Sequence, residues 1–139
     1  MSSAERRIVL DTGVLVSAAI RPGSVPDLAL HKALMHFEVC VSVATWAELE
    51  TVMRRAKFDA YLQPAAREAF VVGLHNHVRF FEAPSDVTDC VDPGDNKFLA
   101  LALAADAELL VSSDPHLTRL HPWRGIPIVL PAGFLVAVK

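Results

Sequence analysis

Cysteine is scarce in this chain. Cys40 and Cys90 are the only two, and neither sits in a CxxC or a Cys/His pattern with metal-ligand spacing. Both read as small buried thiols rather than a disulfide framework or a zinc site. Long hydrophobic runs are missing too. No apolar stretch reaches the roughly 18 residues of a membrane span, and the opening MSSAERRIVLD is too short in apolar content for a signal peptide. A cytoplasmic protein with no membrane partner is the expectation. Positive charge is not in excess: 13 Lys and Arg against 16 Asp and Glu give a formal net charge of −3. The whole chain therefore lacks the basic signature of a nucleic-acid binder, which leaves only a local basic patch open. There is no GxGxxG and no GxxxxGK[ST], so a plain nucleotide-binding domain ranks low. HExxH and any Ser/His/Asp or Cys/His arrangement are absent as well.

What is present is enough to fold. Hydrophobic residues make up 53% of 139, and charged residues only 21%, which excludes a disordered chain and suits one domain with a single core. RIVL, Arg7 to Leu10, reads as a first strand. DTGVLVSAAI follows as a short helix stopped by Arg21-Pro22-Gly23. Ser24 or Pro26 opens a second helix, with Leu28, Leu30, Ala33 and Leu34 as its buried side. Phe37 to Ser42 is a second strand, and VATWAELETVMRRAKF an amphipathic helix. Pro64 opens PAAREAFVVGLHNHV, with Phe70, Leu74 and Val78 at helical spacing. A third strand is expected near Val78 to Glu82, then a polar loop from Ala83 to Cys90. Asn96 to Ala105 is apolar nearly all round, hence a buried helix. Glu108 to Ser112 is a fourth strand and Pro115 begins a helical turn. Ile126 to Leu130, broken by Pro127, fits an edge strand. A last helix starts near Pro131. Strands alternating with helices predict an α/β fold with a mainly parallel, about five-stranded sheet, as one domain over residues 1–139.

The acids are the chemistry. In such sheets, sites form outside the carboxyl ends of the strands, near the point where strand order reverses. Asp11 follows the first strand, Asp114 follows the fourth, and Asp95 opens the buried helix. Each also reads as a helix cap: Asp92-Pro93 and Asp114-Pro115 place proline at a first helical position, and Asp95 lies where a carboxylate favours the helix dipole. Glu48 is different, because it lies inside a helix. Trp46, Leu49 and Met53 mark the buried face, and Glu50 has Arg54 four residues on as a surface partner. Glu48 has only Val52 at that spacing, so it is expected to face something other than solvent. Clustered carboxylates repel, and a cation must neutralise them if they stay ionised. Oxygen-only ligands suit Mg²⁺ or Mn²⁺ rather than zinc, and Mg²⁺ commonly shares its ligands with a substrate phosphate.

Asp11 in VLDTGVLVSA, Glu48 in WAELETVMRR, Asp95 in DPGDNKFLALALAADAELLVSSD and Asp114 at its end resemble, in that order, the PIN-domain nucleases, and among them the VapC-like toxins of bacterial toxin–antitoxin systems. The resemblance runs from about Arg7 to Val136, and DNKFLALALAADAELLVSSD is its most specific part. It implies a three-layer α/β/α sandwich and Mg²⁺- or Mn²⁺-dependent cleavage of RNA that leaves a 5′-phosphate. It also implies a homodimer and a small protein antitoxin. Carried over, Asp11 and Asp95 are the main metal ligands, and Glu48 and Asp114 complete the site directly or through water. Asp92 is a further candidate, and Thr12 and Ser17 are hydroxyls that orient water or ligand. Two positions depart from the pattern: Gly13 stands where Asn commonly follows the Asp-Thr pair, and Ser113 stands where glycine is common. Gly13 removes an amide that would brace the site. It motivates an alternative, a catalytically inactive PIN domain that binds RNA or a protein.

Arg54, Arg55 and Lys57 end the Glu48 helix; they suit a helix C-terminus or hold RNA phosphates. Lys97 reaches a phosphate or faces solvent. The six histidines read as surface or partly buried residues, with His116 in the turn after Asp114. Trp46 and Trp123 read as core.

Overall fold

A computed structural model describes residues 6–84 and 86–137. The first five residues of the opening stretch, position 85 of the polar loop and the last two residues of the chain lie outside them. Five strands run in chain order as β1 (Arg7–Leu10), β2 (Glu38–Val41), β3 (Val78–Phe80), β4 (Leu109–Val111) and β5 (Ile128–Val129). Their order in the sheet is β3-β2-β1-β4-β5, and every pairing is parallel. The helices are α1 (Thr12–Ile20), α2 (Val25–His36), α3 (Val43–Met53), α4 (Pro64–His75), α5 (Asn96–Ala104), α6 (Pro115–Thr118) and α7 (Pro131–Ala137).

Three layers follow from the period-2 alternation of the strands. Ile8, Leu10, Val39, Val41, Leu109 and Val111 face one core, which α1, α2, α3, α4 and α7 cover. Val9, Cys40, Leu110 and Ile128 face the other, which α5 and the segment around Trp123 cover. Both faces are buried, as a parallel sheet requires. The expected α/β/α sandwich is therefore what the chain forms. Cys40 and Cys90 are free buried thiols, and Trp46 and Trp123 are buried, as expected. Among the described residues, no helix is long and apolar enough to cross a membrane.

Helix starts agree with the capping signals. Asp11, Ser24 and Ser42 accept hydrogen bonds from backbone N–H groups in the first turns of α1, α2 and α3. Helix ends and faces agree less well. Leu28 is half-exposed, because α2 turns Ala29, Leu30 and Ala33 inward instead. Val78 belongs to β3, and α4 stops at His75. α3 stops at Met53, and Ala56–Phe58 forms a separate 3₁₀ turn. No ion pair joins Glu50 to Arg54 among the described residues, since Arg54 is the cap where the i,i+4 geometry ends.

The end of α3 has a partner remote in sequence. Arg67, on α4, is 2% exposed. Its Nε donates to the Met53 carbonyl at 2.7 Å, one terminal nitrogen donates to the Leu62 carbonyl at 2.6 Å, and the other meets Asp59 Oδ1 at 2.7 Å. The guanidinium takes up a carbonyl that the helix end leaves without a partner. Replacing Arg67 with Leu strands two carbonyls. We expect a loss of about 2–4 kcal/mol, read as a lower urea midpoint at pH 7.

Candidate active site

Strand order reverses between β1 and β4. The chain leaves β1 into α1 on one face and leaves β4 into α6 at the same carboxyl edge, so a crevice opens there. Asp11 and Asp114 stand on its two sides. Asp11 N–H donates to the Val111 carbonyl at 3.1 Å, which ties the first residue after β1 to the end of β4.

Asp11 is 5% exposed, and both its oxygens are engaged. Oδ1 accepts from Val14 N–H at 2.9 Å and caps α1, while Oδ2 accepts from the Ser112 hydroxyl. Burial nevertheless pushes its pKa up from 3.8 to about 6; the Ser112 and Val14 hydrogen bonds oppose the rise, and nearby Asp114 and Glu48 add to it.

Glu48 does face inward, toward two partners. Thr12 donates its hydroxyl to Oε2, and Lys97 Nζ lies 2.8 Å from Oε1. Lys97 therefore neither hangs in solvent nor stands free for a phosphate; the nearest carboxylate holds it.

Asp92, Asp95 and Asp114 each bring a carboxylate oxygen within 4.8 Å of the others. Asp92 Oδ1 accepts from Gly94 N–H at 2.9 Å and caps the 3₁₀ turn Pro93–Asp95, and Asp114 Oδ1 accepts from His116 N–H at 2.9 Å and caps α6. Glycine matters at 94, where a Cβ would lie 3.3 Å from that Asp92 oxygen. Asp95 caps nothing: its side chain makes no cap hydrogen bond, and Oδ2 is buried without a partner. Burial first, and then Asp114 at close range, raise Asp95 to about 8, while Asp114 is lowered in turn. Charge on Asp114 thus opposes charge on Asp95, and the pair titrates together.

A divalent ion fits this cluster. The donor set is oxygen only, and one buried carboxylate oxygen has no other partner.

The remaining candidates lie further out. The Ser17 hydroxyl makes no hydrogen bond to these acids among the described residues, although Ser17 sits half-buried in α1. Arg54 and Arg55 are exposed beyond the end of α3, more than a turn past Glu48. His116 is in α6, with its Nδ1 buried and unpartnered.

Sequence reading passed over Ser112. It is fully buried, it donates to Asp11, and its oxygen accepts from Asp114 N–H at 2.9 Å. Its signal was a lone hydroxyl closing the apolar run ELLVS. Asn96 was missed as well: its Oδ1 accepts from Cys90 N–H at 2.8 Å and ties the preceding loop to α5.

A sequence search of curated proteins found no match. Solved structures are similar in fold. The crystal structure of PAE2754 from Pyrobaculum aerophilum aligns with TM-score 0.65 and 16% identity, covering 99% of this chain and 94% of that one. VapBC2 from Rickettsia felis, bound to a DNA fragment from their promoter, aligns with TM-score 0.61 and 13% identity, over 88% of this chain and 96% of that one. FitAcB from Neisseria gonorrhoeae aligns with TM-score 0.58 and 17% identity, over 90% and 98%. The PIN domain family matches residues 7–116, which span the strands and turns that carry every one of these acids. The chain belongs to the PIN domain family.

Proposed function

We propose that the protein is a Mg²⁺- or Mn²⁺-dependent endoribonuclease, and the toxin of a toxin–antitoxin pair. The observation that carries the reading is the Asp92, Asp95 and Asp114 cluster, with the buried Asp95 oxygen that no protein group satisfies. Asp95, Asp114 and Asp92 would hold the ion, with Asp11 beside them and Glu48 behind. When bound, such an ion supplies a water of lowered pKa and stabilises charge on a phosphoryl oxygen. The protein's own groups position. Ser112 fixes the turns that carry Asp11 and Asp114. Thr12 and Lys97 orient Glu48 from two sides, so a water bridged to Glu48 has a fixed acceptor.

An inactive binding domain is the alternative that Gly13 raises. Gly13 is exposed, and a Cβ there would lie 3.6 Å from Asp11 Oδ1, an ordinary contact. Asp11 already has the Ser112 hydroxyl and the Val14 N–H as braces. The missing amide therefore does not leave Asp11 loose, and cleavage is favoured over binding alone. The toxin reading draws on the shared fold with VapBC2, solved with DNA from their promoter, and with FitAcB. A protein antitoxin and a homodimer go with it.

Purified protein should cut RNA from a pool of structured and single-stranded molecules with Mn²⁺ or Mg²⁺, and not with EDTA. Asp95→Asn should abolish cutting; undiminished cleavage by that variant would sink the metal assignment. Ser112→Ala keeps every acid but loosens two of them, and a drop of roughly 10–100-fold is expected, the usual effect of an outer-shell partner.

The acids also set a pH dependence for the metal-free protein. Asp11 and Asp95 have folded pKa values raised above 3.8, to about 6 and about 8. Between those limits the unfolded chain has released protons that the folded chain keeps, so stability falls as pH rises from about 4 to about 8. The lowered Asp114 acts in the opposite sense, but below that window. Urea melts in EDTA should show a lower midpoint at pH 8 than at pH 5. Asp95→Asn should flatten the upper part of the slope, and Mg²⁺ should restore the midpoint at pH 8. A slope identical in wild type and variant would remove Asp95 as its source.

A further inference from the structure

An open apolar cleft lies beside the acids. Its volume is about 940 Å³, in the range of ligand sites. Val43 and Ala47 of α3 form one wall, Phe80 and Phe81 at the end of β3 form a second, and Asn96 and Lys97 of α5 form a third.

Position is the first argument. Asn96 and Lys97 directly follow Asp95, Pro93 lies between Asp92 and Asp95 and also lines the cleft, and Ala47 precedes Glu48. No acid of the cluster lines the cleft, but Lys97, which does, reaches Glu48 at 2.8 Å, so the cleft neighbours the acids. A polymer with one phosphate at the acids would have a neighbouring group within reach of this cleft.

The chemistry of the walls is the second argument. Val43 is 78% exposed and Phe80 is 42% exposed, so both present open apolar surface to the cleft. The Phe80 ring is held in place by Trp46 and His75, at centroid distances of 5.9 and 5.5 Å. Lys97 is neutralised by Glu48, and Glu82 adds a negative charge to the lining. Such a surface repels a phosphate and accepts a flat neutral group. Asn96 supplies a way to read that group. Its Oδ1 is committed to Cys90 N–H, which fixes the amide and leaves Nδ2 as a donor with no partner among the described residues.

We infer that this cleft holds a nucleobase of single-stranded RNA adjacent to the phosphate at the acids, packed against Phe80 and met by the Asn96 amide. The inference rests on the nuclease reading for its substrate but is tested apart from it. Bases pack on aromatic side chains in single-stranded RNA recognition, and a base carbonyl or ring nitrogen suits an amide donor.

The test is titration of ¹⁵N-labelled protein in EDTA with adenosine, cytidine, uridine and ribose, followed by NMR. At least one nucleoside should shift the amides of Ala47, Phe80 and Thr88, and ribose should not. Ala47→Trp, at an exposed position where the indole fills the cleft, should abolish those shifts while the rest of the spectrum keeps its folded dispersion. In cleavage assays the same variant should raise KM by about tenfold, the loss of one base contact, and flatten the nucleotide preference at the cut. Absent shifts, or equal shifts from ribose, overturn the inference. So does an Ala47→Trp variant that cuts with unchanged preference but changes its oligomeric state by light scattering, which would make the cleft a face for a second protein chain. Nucleoside binding by a protein that cuts no RNA would remove the nuclease reading and keep the cleft. Cutting without nucleoside binding would do the reverse.

Discussion

Ser112 is the contact on which the site depends. It sits where β4 ends, fully buried, between the two turns that carry Asp11 and Asp114. Its hydroxyl has one proton and two lone pairs, and both functions are used: the proton goes to Asp11 Oδ2, and the oxygen accepts the Asp114 N–H. The parallel register, with Leu10 beside Val111, sets the two turns next to each other. Ser112 then fixes their acids at a separation at which they repel. Burial of Asp11 raises the cost of ionising it, and the Ser112 hydrogen bond offsets part of that cost. An alanine would leave the strands paired but take away this compensation.

Capping leaves these acids an oxygen for a second use. A cap needs one carboxylate oxygen. Asp92 and Asp114 each give Oδ1 to a backbone N–H, and that bond orients the second oxygen. The cap is thus what holds the carboxylate in place, in the way an outer-shell hydrogen bond orients a ligand. Asp95 breaks the pattern. It precedes α5 with helical backbone, as the last residue of the 3₁₀ turn, so it does not cap, and its buried oxygen stays unsatisfied. Buried polar atoms without partners are rare enough that this one calls for an explanation. A cation supplies one, and the raised pKa records the cost where no cation is present.

The sequence made the frame legible because its signals were local. Alternating apolar residues, a proline or a capping residue at each helix start, and the strand–helix alternation placed all five strands and the starts of the helices. Asp11 and Asp114 could be put at one edge because topology follows from that alternation. What stayed hidden was set by distant residues. The Met53 carbonyl, left open where α3 ends, finds its partner in Arg67, fourteen positions on. Lys97 and Glu48 are 49 positions apart and meet only once α3 and α5 pack. Ser112 reads as one more strand-end residue until the fold brings Asp11, 101 positions away, against it. Leu28 and Ala29 are adjacent, and composition alone does not say which of them the core receives.

The Glu48–Lys97 pair bears on how an acidic chain handles a polyanion. Lys97 is the cation nearest to Asp95 in sequence, and a free ammonium there would attract phosphate directly. Instead it is bound to Glu48 at 2.8 Å, with both side chains about a quarter exposed. Thr12 holds the other Glu48 oxygen, so the carboxylate is restrained at both ends. The local balance is therefore negative: several carboxylates gather here, against Arg119 at the far end of α6, whose charge favours an ionised Asp114. On the nuclease reading, an edge of that sign repels RNA by itself, and a bound divalent ion would offset part of the charge. An ion there would then serve substrate approach as well as chemistry. The net charge of −3 is compatible with the nuclease reading, because a bound ion, and not the chain, would carry the positive charge that meets the phosphate.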